Sequence, residues 1–277
     1  MHVLVTREPA DFAEHVGDFL ASRPIEHNVL ATVVDTLAAT DGTDGAVFAW
    51  VAAGGEVVGA ALRTPPRGAL VSCMSADVAA ALVPSLLAED PGLPGANGPQ
   101  PAVSWVAEAW RQCTGGIVEP VMSQGVYWLA RVTEPPTRPA GLSRAATHAD
   151  RDLLIRWARA FARDLGVPAT DPEAVVDRRL RDGRLFVWAD DDPVAMVGTS
   201  PPLAGVVRLG PVYTPPEARR RGYATALVAN VSARILTAGA SRCMLYTDLA
   251  NPTSNKIYQA IGYRRASDAQ EYSFRVV

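Results

Sequence analysis

The sequence predicts a mixed α/β fold in which each half forms a mixed, mostly antiparallel sheet flanked by helices. Three observations carry this: strand-length apolar runs bounded by glycine-rich or acidic turns, apolar positions at helical spacing between them, and a proline-rich break near the middle. The break is Thr133-Glu134-Pro135-Pro136-Thr137-Arg138-Pro139-Ala140-Gly141, where three prolines and a glycine can continue neither a helix nor a central strand. It divides the chain into a first half over 1–132, a linker over 133–141 and a second half over 142–277. A chain of 277 residues is long enough to bury two modest cores.

In the first half, residues 11–37 read as helical with interruptions at Pro24 and Asn28. Strands are expected over 46–52 and 56–62, joined by the Gly54-Gly55 turn. Helical spacing follows over 76–88 and 102–113, and 126–132 reads as a last strand. In the second half, a short strand at 142–146 precedes helices over 149–164 and 171–182, the latter opening with Asp171 as N-cap and Pro172 at N1. A hairpin over 184–189 and 193–199 turns at Asp190-Asp191-Asp192. A strand over 206–213, a helix over 222–238, a strand over 243–247, a helix over 252–261 and a strand over 271–276 complete the order.

Composition removes several function classes. With 48% apolar residues the chain is globular, and its formal charge of −3 with scattered arginines argues against a nucleic-acid partner. The apolar runs are short and broken by charges, so no membrane span is expected, and the N-terminus lacks the basic-then-apolar order of a secretory signal. The expected compartment is the cytoplasm. Cys73, Cys113 and Cys243 form neither a disulfide framework nor a zinc spacing, and the four histidines are isolated, so no metal is expected. Lys256 is the sole lysine, which removes lysine chemistry nearly everywhere.

The densest signal runs from Val212 to Leu227. A strand ends, Pro215 and Pro216 stop its pairing, and Arg219-Arg220-Arg221-Gly222-Tyr223-Ala224 leads directly into an apolar-striped helix. Unsatisfied N–H groups and the helix dipole make such a start an anion site. Gly222 and Ala224 lack bulk, so a diphosphate can approach the backbone. A second stretch, Asn251-Pro252-Thr253-Ser254-Asn255-Lys256-Ile257-Tyr258-Gln259-Ala260-Ile261-Gly262-Tyr263, opens on an N-cap and N1 pair and closes on a helix-stopping glycine. Ser254, Asn255 and Tyr258 share one face at helical spacing, while Ile257 and Ile261 form an apolar one. Without the other motif, each stretch also reads as ordinary structure: a solvated arginine run, and a half-buried tyrosine behind a cap.

Together the two stretches resemble the GNAT superfamily of acyl-CoA N-acyltransferases. The first resembles its Gln/Arg-x-x-Gly-x-Gly/Ala diphosphate loop, and the second its Asn-x-x-Ala-x-x-Leu-Tyr-x-x-x-Gly-Phe segment. The resemblance covers roughly 142–277. The first half lacks the phosphate loop and resembles the family only in element order, as a degenerate copy in a tandem-GNAT protein would. The resemblance implies two GNAT-like domains, with acetyl-CoA as acyl donor and a primary amine of a small molecule or peptide as acceptor. It further implies that backbone groups of Val212, Tyr213 and Thr214 pair with the pantetheine arm. The loop from Arg219 to Thr225 (Arg219, Arg220, Arg221, Gly222, Tyr223, Ala224, Thr225) would hold the diphosphate, with Asn251 and Asn255 touching the arm. Tyr258 matches the family's general acid: amine attack on a thioester builds charge on sulfur, and a phenol within reach supplies the proton.

The family often places a carboxylate on the strand before the loop, but 206–213 carries none. Glu217, Asp248 and ordered water remain alternatives for the base. Trp157, Phe161 and Trp188 are candidates for an acceptor groove, although aromatic residues at such positions are more often core. The competing function is a catalytically silent module that binds acyl-CoA or supports a partner. Neither the acceptor, the acyl chain nor the oligomeric state is readable from the sequence.

Overall fold

A computed structural model describes residues 1–39, 45–135, 137–166 and 171–276, excluding the side chains of Thr253 and Ser254. Pro136 of the expected linker and the Ser254 side chain of the expected polar face thus lie outside the described residues. The first half runs β1 (His2–Thr6), α1 (Pro9–Ala21), α2 (Asn28–Ala38), β2 (Val47–Ala53), β3 (Glu56–Arg63), β4 (Ala69–Val71), α3 (Ala76–Glu89), β5 (Gly95–Pro99), α4 (Ala102–Thr114) and β6 (Ile117–Leu129). The second runs β7 (Leu142–Ala145), α5 (Arg151–Asp164), α6 (Pro172–Arg181), β8 (Leu185–Asp190), β9 (Asp192–Thr199), β10 (Val206–Tyr213), α7 (Tyr223–Thr237), β11 (Arg242–Asp248), α8 (Pro252–Ala260) and β12 (Arg264–Arg275).

Both halves follow one order, strand, two helices, three strands, helix, strand, helix, strand. Their pairing repeats as well. Neighbours run β1-β2-β3-β4-β5 in one and β7-β8-β9-β10-β11 in the other. In each series only the last pair is parallel, β4 with β5 and β10 with β11. A parallel pair needs a crossover, and α3 and α7 supply it.

Two compact units result. The first holds Met1–Val126, Thr247–Asn251 and the stretch from Arg265 onward; the second holds Tyr127–Tyr246 and Pro252–Arg264. Most of β12, the strand that closes the second repeat, therefore belongs to the first unit, where it pairs antiparallel with β5 from Ala269↔Pro99 to Ser273↔Gly95. Conversely Tyr127 and Leu129, at the end of β6, are buried in the core of the second unit.

The cores explain the elements. In the first unit Val78, Leu82, Val83 and Leu86 of α3 pack with Val103, Val106 and Trp110 of α4 against β2, β4 and β5. In the second, one sheet face packs on α7 and α8 through Val197, Leu209, Leu227, Val231, Leu245 and Ile261. The other packs on α5 and α6 through Leu154, Trp157, Val176, Val187, Met196 and Tyr213. Period-two alternation along β9 sends Ala195 and Val197 to the first face and Met196 to the second.

The sequence pattern misses β1, β4 and β5. β4 has three residues, too few to show a period, and β5 (Gly95-Ala96-Asn97-Gly98-Pro99) is built of turn formers. Its glycines are needed for close approach: a β-carbon on Gly95 would lie 2.2 Å from the Tyr272 carbonyl oxygen, and one on Gly98 2.7 Å from that of Val71. β6 starts at Ile117 rather than 126, since Pro120 and Gly125 break its pattern, and β12 starts at Arg264 rather than 271 because Arg264-Arg265-Ala266-Ser267-Asp268 carries no apolar period.

His27 locks the first unit internally. It is buried, its Nδ1 lies 3.3 Å from the Leu20 carbonyl oxygen, and its Nε2 accepts from the Cys73 N–H at 3.0 Å. Burial holds its pKa down at about 4, against an ordinary 6.5. The unfolded chain therefore binds a proton that the folded unit refuses. Stability conferred by the neutral ring is full above pH 6.5 and is lost as the pH falls toward 4. Amide protection in β2, β3 and α1, taken relative to the intrinsic exchange rate at each pH, should fall through that window in the native protein. A His27→Gln variant, less stable at neutral pH, should show a flatter dependence, and an unchanged slope would contradict the assignment.

Candidate functional site

β10 changes partners part-way along its length. It pairs in parallel with β11 at Val206↔Arg242, Val207↔Cys243 and Arg208↔Met244, and the registered pairing stops there. On its other edge it pairs with β9 at Leu209↔Thr199, Val212↔Val197 and Tyr213↔Met196, with a bulge between Leu209 and Val212 that contains Gly210 and Pro211. The proline has no N–H to give a ladder, and the extra residue bends the strand. Among the described residues, the edge of β10 from the bulge to Tyr213 is thus left without a registered partner on the β11 side. Val212 is half-buried, and Tyr213 is buried against Trp157 with ring centroids 6.1 Å apart. The Thr214 hydroxyl is buried without a hydrogen-bond partner.

The chain then turns through Pro215, a 3₁₀ turn at Pro216–Ala218 and the three arginines into α7. Arg220 and Gly222 both take left-handed backbone, φ 64° and 82°. Such alternation of backbone handedness turns successive N–H groups toward one concavity, and left-handed backbone suits glycine far better than arginine. Gly222 occupies the N-cap of α7 with no side chain to cap it, and the first bond of the helix is Ala226 N–H to the Gly222 carbonyl. Among the described residues the N–H groups of Gly222, Tyr223, Ala224 and Thr225 meet no acceptor. A β-carbon on Gly222 would meet nothing nearer than 3.9 Å. Donors with space above them are what a diphosphate requires.

The arginines divide their tasks. Arg219 donates to the Thr214 carbonyl at 2.9 Å and to Asp164 of α5 at 2.7 Å, so it fastens the loop to the end of β10. Arg220 and Arg221 are exposed. Tyr223 is buried and its hydroxyl donates to Asp190 at 2.6 Å, fixing the first turn of α7 to the β8–β9 hairpin.

In α8, Tyr258 does not lie on an exposed polar face. It is 8% exposed, within the same core as Ile261, and meets Tyr263 edge-on at 6.1 Å. Burial pushes its pKa up to about 12, so the phenol keeps its proton. Asn255 is half-buried in α8. Asn251 is exposed on the preceding turn in the first compact unit, its N–H donating to the Asp248 carbonyl at 3.0 Å. The Asp248 carboxylate accepts from the Ala250 N–H at 2.8 Å and so shapes that turn, while Glu217 is exposed in the 3₁₀ turn. Trp157 and Trp188 are core residues on opposite faces of the sheet, Trp188 donating its indole N–H to the Ala140 carbonyl at 2.8 Å; Phe161 packs partly buried beside Trp157.

Residues 190–273 match the family model described as FR47-like protein. The whole chain superposes on a GNAT-family acetyltransferase from Colwellia psychrerythraea at 12% identity and TM-score 0.64, covering 100% of both chains. A GCN5-related N-acetyltransferase from Sphaerobacter thermophilus matches at 16% identity and TM-score 0.66, over 98% of this chain and 95% of that one. The chain has the GNAT fold. A tandem GNAT protein from the clavulanic acid biosynthesis pathway is similar over 99% of this chain and 98% of its own, at 13% identity and TM-score 0.57. No curated protein matches the sequence. Among the described residues no helix is long and apolar enough to cross a membrane.

Within this GNAT-fold site, sequence reading missed Asp164 and Asp190, whose partners lie 55 and 33 positions away. It also missed the bulge, whose one signal was a Gly-Pro pair inside a strand. Gly222→Trp should abolish coenzyme A binding, through bulk in the open concavity and strain on left-handed backbone, with far-UV circular dichroism unchanged. Calorimetry giving ordinary affinity would remove the loop's assignment.

Proposed function

We propose that the chain is an N-acetyltransferase that moves an acetyl group from acetyl-CoA to a primary amine of a small molecule or peptide. The observation that carries the reading is the uncapped start of α7 beside the unpaired edge of β10. The residues fit the donor: unpartnered amides at Gly222–Thr225 suit its diphosphate, and the free edge at Val212, Tyr213 and Thr214 suits an amide-bearing pantetheine arm. Acetyl-CoA, when bound, supplies an activated thioester carbonyl.

The chain's own groups then have distinct tasks. The β10 edge orients the donor by strand-like pairing, and the loop amides fix its anionic end. Tyr258 holds a proton in a desolvated setting and gives it to the departing sulfur as the carbon–sulfur bond breaks and the amide bond forms. The amine loses one proton, which ordered water carries away, since β10 bears no carboxylate. We place the reaction in the cytoplasm; three free thiols suit a reducing compartment.

The first half is read as a degenerate copy of the second. The repeated element order and pairing support this, and local chemistry explains the loss of the donor site. β4 reaches α3 through residues 72–75 alone, and Ser75 accepts from the Val78 N–H at 3.4 Å, capping the helix. The Cys73 N–H is taken by His27. A phosphate would find those donors already engaged. A silent supporting role is therefore assigned to this half alone.

Incubation with acetyl-CoA and an amine panel should release free thiol. Tyr258→Phe should lower turnover by roughly a hundred- to a thousandfold with donor affinity retained, within the usual range for an acid–base group. Because the phenol is held up near 12, its ionisation should not reduce turnover between neutrality and pH 10. An unchanged rate in the variant would remove the role.

A further inference from the structure

On the face of the second unit that packs on α5 and α6, Arg179 has no carboxylate partner among the described residues. Gly198 follows Met196 by two on β9 and so faces the same way. A β-carbon there would lie 2.4 Å from Nη1 and 3.2 Å from Cζ of Arg179, and 3.1 Å from the Gly210 carbonyl oxygen. The Arg179 guanidinium, reaching from α6, therefore comes up to the sheet at Gly198, beside the β10 bulge. A side chain at 198 would push the guanidinium from this position. Arg208 sits on β10 two residues before the bulge, and alternation with Leu209 turns it to the same face.

Both arginines are half-buried. Among the described residues no carboxylate comes within ion-pair distance of Arg179. Arg184, which is also close, is paired with Asp182. Loss of water, followed by the charges of Arg208, Arg184 and Arg178, pulls the Arg179 pKa down to about 10. A guanidinium partly withdrawn from water and faced by further cations is costly to keep in a fold, and an anion joining it offsets that cost. Its planar fork suits a two-oxygen anion such as a carboxylate or phosphate.

We infer that the amine acceptor carries an anionic group, carboxylate or phosphate, and that Arg179, seated on Gly198 and assisted by Arg208, binds it beside the β10 bulge. The inference rests on the acyl-transfer reading and names its acceptor class. The donor's anionic end is assigned to the α7 side of the sheet, and the free edge of β10 leads past the bulge to the α6 side. An acceptor held there by its anion presents its amine to the donor along the β10 edge without competing for the loop.

The test compares matched acceptors: amino acids against their amides, and phosphoethanolamine against ethanolamine, by thiol release and by saturation binding to the protein loaded with coenzyme A. The anionic member of at least one pair should be favoured at least tenfold in kcat/KM or affinity. The two pairs distinguish carboxylate from phosphate. Arg179→Gln should bring the ratio toward one while coenzyme A affinity is unchanged, and Arg179→Lys should restore part of it. A purely structural role for Arg179 would alter stability and leave the ratio intact. Equal use of anionic and neutral members, a ratio preserved in Arg179→Gln, or no anion-dependent binding or turnover in any pair would overturn the inference. Failure of the wild-type protein to bind coenzyme A would instead overturn the reading beneath it.

Discussion

The structure of the site depends on one interruption, the place where β10 leaves β11. A parallel pair that had stayed zipped to its end would have satisfied both strands, and no edge would remain for a ligand. Gly210 and Pro211 prevent this: proline contributes no donor, and the bulge redirects the strand. Everything downstream inherits the geometry. The chain leaves β10 at Thr214, is fastened by Arg219 to Thr214 and Asp164, and enters α7 with its first amides unused. The edge of β10 and the start of α7 then each offer backbone groups to a ligand, a polar lining built without committing side chains.

The two repeats show what those unspent groups are worth. They share element order and strand pairing, yet one helix start is capped by a serine and reached by a short link, and the other is uncapped and reached by a long basic loop. A serine cap is worth only about a few tenths of a kcal/mol over the glycine at the start of α7. Leaving α7 without one costs stability, and a bound anion would return it. The half that lacks the basic loop has a serine cap. The same logic applies on the opposite sheet face, where Arg179 is left without a carboxylate while its neighbour Arg184 has one.

Much of this was legible in the sequence, for identifiable reasons. The loop and α7 were readable because a glycine at a helix start after a basic turn is a local feature, fixed by neighbouring residues. The hairpins over β2–β3 and β8–β9 were readable from turn chemistry. What escaped was set by distant partners. β4 and β5 are strands only because Gly95 and Gly98 admit neighbouring backbone, and β12 starts in a polar stretch whose pairing lies far along the chain. Tyr258 was expected on a polar face from its spacing to Asn255, but the packing of Ile261 and Tyr263 draws it inward. Arg179 looked like one of several arginines at a helix end, since nothing local shows that Gly198 has been kept small to receive it.

Amide hydrogen exchange at Gly222, Tyr223, Ala224 and Thr225, recorded with and without coenzyme A, probes the central claim at the atoms it concerns. Slow exchange at these four amides when coenzyme A is present, against fast exchange in its absence, is the predicted result. Exchange that stays fast at saturating coenzyme A would contradict the account.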